Sequence, residues 1–172
     1  MERAEVTMQP YAEVLARLSA SSVAKHHDAY ADIDWDARDH AIVPDDPRFE
    51  LDDDDPLGTT SWYRALPQAR RARIGLDVTA SMMRTGVEFE AILSRGLLEF
   101  AMTRPNRSLE FRYAYHEVIE EGQHSLMFQE FIDRTGFDAL GLTAFEDAGS
   151  RRVPALGRTF PECFFLHVLA GE

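Results

Sequence analysis

Cysteine is almost absent from this chain, and its single copy, Cys163, leaves no partner for a disulfide framework. A reducing cytoplasm is therefore the expected compartment. Cys163 lies in an apolar run and is expected as buried filler rather than as a nucleophile. No apolar run reaches the roughly 18–20 residues of a membrane span. Met1 to Pro10 mixes charges of both signs without an apolar core, so no secretory signal is expected there. Basic residues are scarce: 18 Lys and Arg stand against 30 Asp and Glu, a net charge of −12. That balance disfavours nucleic acid and anionic membrane as partners, since both require a basic surface. What remains is 45% hydrophobic and 28% charged over 172 residues, the composition of a globular domain or of part of a larger one.

The pattern along the chain divides near residue 60. Residues 1–60 form an N-terminal leader, with helical spacing from Pro10 to His26 and then a loop-rich acidic stretch that holds Pro44, Pro47, Pro56 and Asp52–Asp55. Those aspartates lack the glycine and closing glutamate of a calcium loop and read as solvated. Residues 61–172 form a helical domain. The spacing predicts one long helix over 68–103, with Gly86 as the place for a bend, and a second over 108–135 stopped by Gly136. The short connection at Pro105–Asn106 makes them antiparallel neighbours. A third helix is expected from Thr159, where Thr159-Phe160-Pro161-Glu162 fits a capping box. The Phe-rich run 160–165 and His167 are expected in the core.

Two carboxylates interrupt otherwise apolar seams. On the first long helix the seam reads Met83, Val87, Glu90, Ser94, Leu97, Ala101; on the second it reads Ala114, Val118, Glu121, Ser125, Phe128, Ile132. A carboxylate ionised in such a place needs a cation or a proton. His124 lies one turn beyond Glu121 and shares its side of the helix. Glu90 and Glu121 are 31 positions apart, which sets them at similar height across a hairpin turning at Pro105. Glu88 is the rival to Glu90, but its strip of Arg84, Ala91, Arg95 and Glu99 looks solvated and ion-paired. Glu172 ends a third strip through Phe165 and Val168. Helical bundles hold two iron or manganese ions with four carboxylates and two Glu-x-x-His pairs. This chain offers three carboxylates and one such pair. The bland alternative is that Glu121 and His124 make a polar contact with neighbours such as Arg112 or Tyr115.

The run Arg112-Tyr-Ala-Tyr-His-Glu-Val-Ile-Glu-Glu-Gly-Gln-His-Ser-Leu-Met-Phe128 resembles the p-aminobenzoate N-oxygenase family of di-iron oxygenases. Glu90 to Phe100 is similar to that family's first ligand helix, and Tyr30 to Asp36 with Val43-Pro44 and Pro56-Leu57 is similar to its leader. The resemblance implies an all-α, ferritin-like bundle, present here in part as a long antiparallel hairpin plus the start of a third core helix. It implies Glu90, Glu121, His124 and Glu172 as metal ligands of a centre of two iron ions, with manganese as the alternative metal. The implied partners are dioxygen, a small aromatic amine as substrate and an external electron donor. The family continues past the position of Glu172 into a second Glu-x-x-His, so the chain corresponds to an N-terminal half. The competing expectation is a non-catalytic helical module that lacks a complete metal site and acts through self-association, including a homodimer.

Overall fold

The computed structural model describes residues 10–171, with side chains described as far as Val168. Among the described residues the ordered elements are all helical: α1 (Tyr11–Ala24), α2 (Ser61–Arg64), α3 (Gln68–Ala101), α4 (Leu109–Thr135), α5 (Ala144–Ser150), α6 (Leu156–Thr159) and α7 (Pro161–Gly171). Single 3₁₀ turns occur at Arg38–His40, Pro47–Phe49 and Val153–Ala155. The frame is an antiparallel hairpin of α3 and α4, 34 and 27 residues long. With α7 laid against it, the hairpin forms part of a ferritin-like helical bundle, the fold class expected from the sequence.

Local chemistry sets the ends of the hairpin. The Ser108 hydroxyl accepts from the Phe111 amide and caps α4. Gly136, at φ 64°, closes α4 in the left-handed conformation that glycine adopts without a Cβ clash. Pro67 precedes α3, which runs unbroken through Gly86. The role of that glycine is contact: a Cβ there would sit 2.9 Å from the Phe128 ring of α4. The same logic recurs at Gly96, where a Cβ would fall 2.2 Å from the ring of Phe164. Gly157 in turn presses α6 onto the Gly96 carbonyl.

Leu93 and Leu97 of α3 pack with Phe164 and Val168 of α7, and this core continues through Phe165 to Phe100, Ala101 and Ala114. Phe165 meets Phe100 and Phe164 edge-on, with centroids 5.2 and 5.4 Å away. The leader is fastened to both long helices. The Tyr63 hydroxyl donates to the Arg71 carbonyl and accepts from the Leu51 amide. Gln123 of α4 accepts from the Ala29 amide, and Arg134 donates to the Trp35 carbonyl.

Several local expectations are corrected. The Thr159 hydroxyl donates to the Ala155 carbonyl at the end of α6, so no capping box forms with Glu162. α7 starts at Pro161 instead. A residue before proline is pushed out of the helical region, and Phe160, at φ −146° and ψ 68°, obeys this. It therefore serves as the cap, while Pro161 takes the first helical position, where a missing N–H costs nothing. Cys163 and His167 are exposed rather than buried, and Phe160 is 61% exposed. Only Phe164 of the Phe-rich run is fully enclosed.

Candidate metal centre

Glu90 projects from α3, and Glu121 and His124 project from α4. Both carboxylates are buried, at 8% and 7% exposure, on faces otherwise given to Leu93, Leu97, Ala114 and Ile132. His124 Nδ1 lies 2.9 Å from Glu121 Oε2 and 3.7 Å from Glu90 Oε1. One donor atom from each of the three falls within 4.8 Å of the others. Such a group can hold a metal ion: two hard carboxylate oxygens and an imidazole nitrogen are a donor set suited to iron or manganese.

The ring of His124 has support from one side. Phe128, one turn further along α4, lies over it with centroids 6.4 Å apart and planes inclined by 29°. Phe128 itself fits against α3 because residue 86 is glycine. On the next position of α4, Gln123 ties the leader to the helix through Ala29. Sequence spacing did not single out Phe128 or Gln123 for these contacts; the Gly86 and Phe128 pair becomes visible only when the two helices are set in register.

Glu88 is committed elsewhere. Its Oε1 pairs with Arg84 at 3.2 Å, and its Oε2 accepts from the Leu142 amide at 2.7 Å. Of the two, Glu90 is the one that lies beside Glu121 and His124. Arg112 and Tyr115, named as partners in the bland alternative, are both exposed on α4, and Glu90 lies 3.7 Å from His124 Nδ1. Glu172 lies outside the described residues.

Two cavities flank the carboxylates. A cleft of about 800 Å³ runs along α3 beside Glu90, walled by Val78, Met82, Phe89, Phe128 and Phe137. On the other side, a space of about 380 Å³ reaches Glu121 between Leu93, Tyr113 and Phe165. The cluster is thus a polar island between apolar spaces. Among the described residues, no helix is long and apolar enough to cross a membrane.

Comparison with known proteins gives this arrangement a family. Uncharacterized protein Rv0885 of Mycobacterium tuberculosis and uncharacterized protein Mb0909 of Mycobacterium bovis are each 42% identical over 162 residues. The match takes in 94% of this chain and 48% of theirs, so the chain spans about half the length of the curated relatives it matches. No solved structure matches with significance. The family described as p-aminobenzoate N-oxygenase AurF matches residues 8–172, nearly the whole length, and the chain belongs to that family.

Proposed function

We propose that Glu90, Glu121 and His124 are ligands of a di-iron centre, and that the chain is the N-terminal part of an oxygenase that activates dioxygen to oxidise a small aromatic amine. The observation that carries this reading is the convergence of two buried carboxylates and an imidazole within 4.8 Å, on the two helices of a chain that belongs to a di-iron enzyme family. Iron supplies the redox chemistry when bound; manganese is the alternative metal. Glu172 is proposed as a further ligand on the resemblance alone.

The chain's own contribution is to position the ligands. α3 and α4 hold their carboxylates facing one another, so ligand geometry follows from helix packing rather than from a loop. Phe128 restrains the imidazole ring. The apolar walls at Val78, Met82, Phe89 and Phe137 suit an aromatic substrate. An external electron donor belongs to this reading, as does a complement of ligands beyond the three that converge here.

Anaerobic titration with ferrous iron, read by metal analysis after desalting, tests the proposal. The chain is expected to retain iron, and Glu121→Ala is expected to lose it while keeping its helical circular dichroism. Equal retention by the two proteins would sink the ligand assignment. Failure of the unaltered chain to bind any iron would favour the non-catalytic module.

A further inference from the structure

Residues 137–142, between the end of α4 and the start of α5, form a strap along α3. Gly136 turns the chain out of α4, and the Thr135 hydroxyl accepts from the Phe137 amide. At the far end Thr143 caps α5. The approach of Gly86 to Phe128 sets the end of α4 level with about residue 79 of α3, about two and a half turns before Glu88. The strap therefore runs back beside the cleft that ends at Glu90. Its first residue, Phe137, walls that cleft. Its last, Leu142, is fastened by Glu88: Oε2 accepts from the Leu142 amide at 2.7 Å, while Arg84 holds Oε1 at 3.2 Å. A Cβ at Gly141 would overlap Glu88 Oε1 and lie 3.1 Å from Arg84 Nε, so the strap backbone rests directly on the ion pair. A hydrogen bond to a carboxylate that is only 23% exposed is among the stronger kinds.

α3 thus carries two tasks two residues apart. Glu90 turns to the carboxylate and imidazole cluster, and Glu88 turns to the strap. One rigid helix sets the cleft wall in register with the metal ligand. Resting on the reading of this cleft as the amine's site, we infer that Glu88 is a positioning residue for the substrate. It latches the strap, fixes where Phe137 stands in the cleft, and so decides which aromatic amines fit beside Glu90. Apolar pockets discriminate by the space their walls leave. Release of the latch lets Phe137 give way, which shifts preference towards a larger ring system.

Equilibrium dialysis of the 172-residue chain against p-toluidine and against 2-naphthylamine, together with hydrogen exchange at the Leu142 amide, tests this. Glu88→Ala should speed exchange at Leu142 by at least about tenfold. It should also shift the ratio of the two dissociation constants towards naphthylamine by about tenfold. Glu88→Gln keeps an acceptor oxygen for the amide and should retain both the protection and the ratio. Gly141→Ala drives the Glu88 carboxylate off the strap and should behave as Glu88→Ala does. Phe137→Ala should shift the ratio with the Leu142 amide still protected, and adding Glu88→Ala to it should change the ratio little further. An ion pair that served stability alone would weaken both amines alike, so an unchanged ratio in Glu88→Ala overturns the inference. A Leu142 amide no better protected in the unaltered chain than in Glu88→Ala does so too. Either result, with both amines still bound, removes the latch and leaves the cleft as the amine's site. An unaltered chain that binds neither amine overturns both readings, while iron retention judges the ligands separately.

Discussion

Glu88 and Glu90 are separated by one residue and have opposite fates, because two steps along a helix turn a side chain by about 200°. Glu88 meets Arg84 and the Leu142 amide. Glu90 turns inward to His124. Glu90→Gln is therefore expected to weaken iron binding by more than about 100-fold, beyond the roughly 10–100-fold usual for groups that only support a ligand. Glu88→Gln should leave iron binding unchanged and lower stability by less than about 1 kcal/mol, since its ion pair is partly exposed. Competition with a chromophoric chelator reads the first effect, and urea unfolding reads the second. The reverse ranking of the two variants would make Glu88 the ligand. This distinction was legible in the sequence because an interrupted apolar seam marks Glu90, whereas Arg84 and Arg95 mark the strip of Glu88. The exposure of Cys163 and His167 was not legible. An almost wholly apolar helix such as α7 has no polar side to indicate which way it faces.

The long helices were also the readable elements. The expected spans 68–103 and 108–135 differ from α3 and α4 by two residues at most, because caps and periodicity agree there. The short elements were not. The Thr-x-x-Glu signature occurs at Thr143 and at Thr159, yet only Thr143 forms a capping box with its glutamate, Glu146. What separates them is Pro161, whose effect on Phe160 outweighs the pull of a threonine hydroxyl. Glycines within helices pose the same problem: Gly96 and Gly122 look alike in sequence, and the structure gives them opposite roles. A methyl at Gly96 would overlap the enclosed ring of Phe164 and press α7 away from α3. Gly96→Ala is expected to destabilise by about 1–3 kcal/mol, even after the helix-propensity gain. Gly122→Ala meets no atom and should stabilise by about 0.5–1 kcal/mol. Thermal melts at low protein concentration compare them, and a stabilised Gly96→Ala would mean that α7 does not sit as described.

For the whole molecule, the net charge of −12 and the turn carboxylates act on stability in opposite directions as pH falls. Self-repulsion weakens as the chain approaches its isoelectric point near 4.9, which favours the compact state. Against this stand carboxylates that the fold keeps ionised. The amides of Tyr30 and Ala31 hold Asp28 below the ordinary carboxylate range. The Arg48 side chain and amide do the same for Asp46, and the Thr143 amide and hydroxyl for Glu146. A carboxylate whose pKa is lower in the folded than in the unfolded chain stabilises above its unfolded pKa. That contribution disappears as pH falls through the folded value. The three groups therefore still act at pH 5, where repulsion has already eased, and fail only below the ordinary carboxylate pKa of about 4. Stability should rise from pH 7 to about pH 5 and then fall steeply in the acid range. Added salt at pH 7 should reproduce the rise, because it screens the same repulsion. Asp28→Asn with Asp46→Asn and Glu146→Gln should lower stability at pH 5 and flatten the acid fall, leaving the rise from pH 7 intact. Urea midpoints at pH 7, 5 and 3, with and without salt, separate the two effects. An acid fall as steep in the triple variant as in the unaltered chain would move its origin away from these turns.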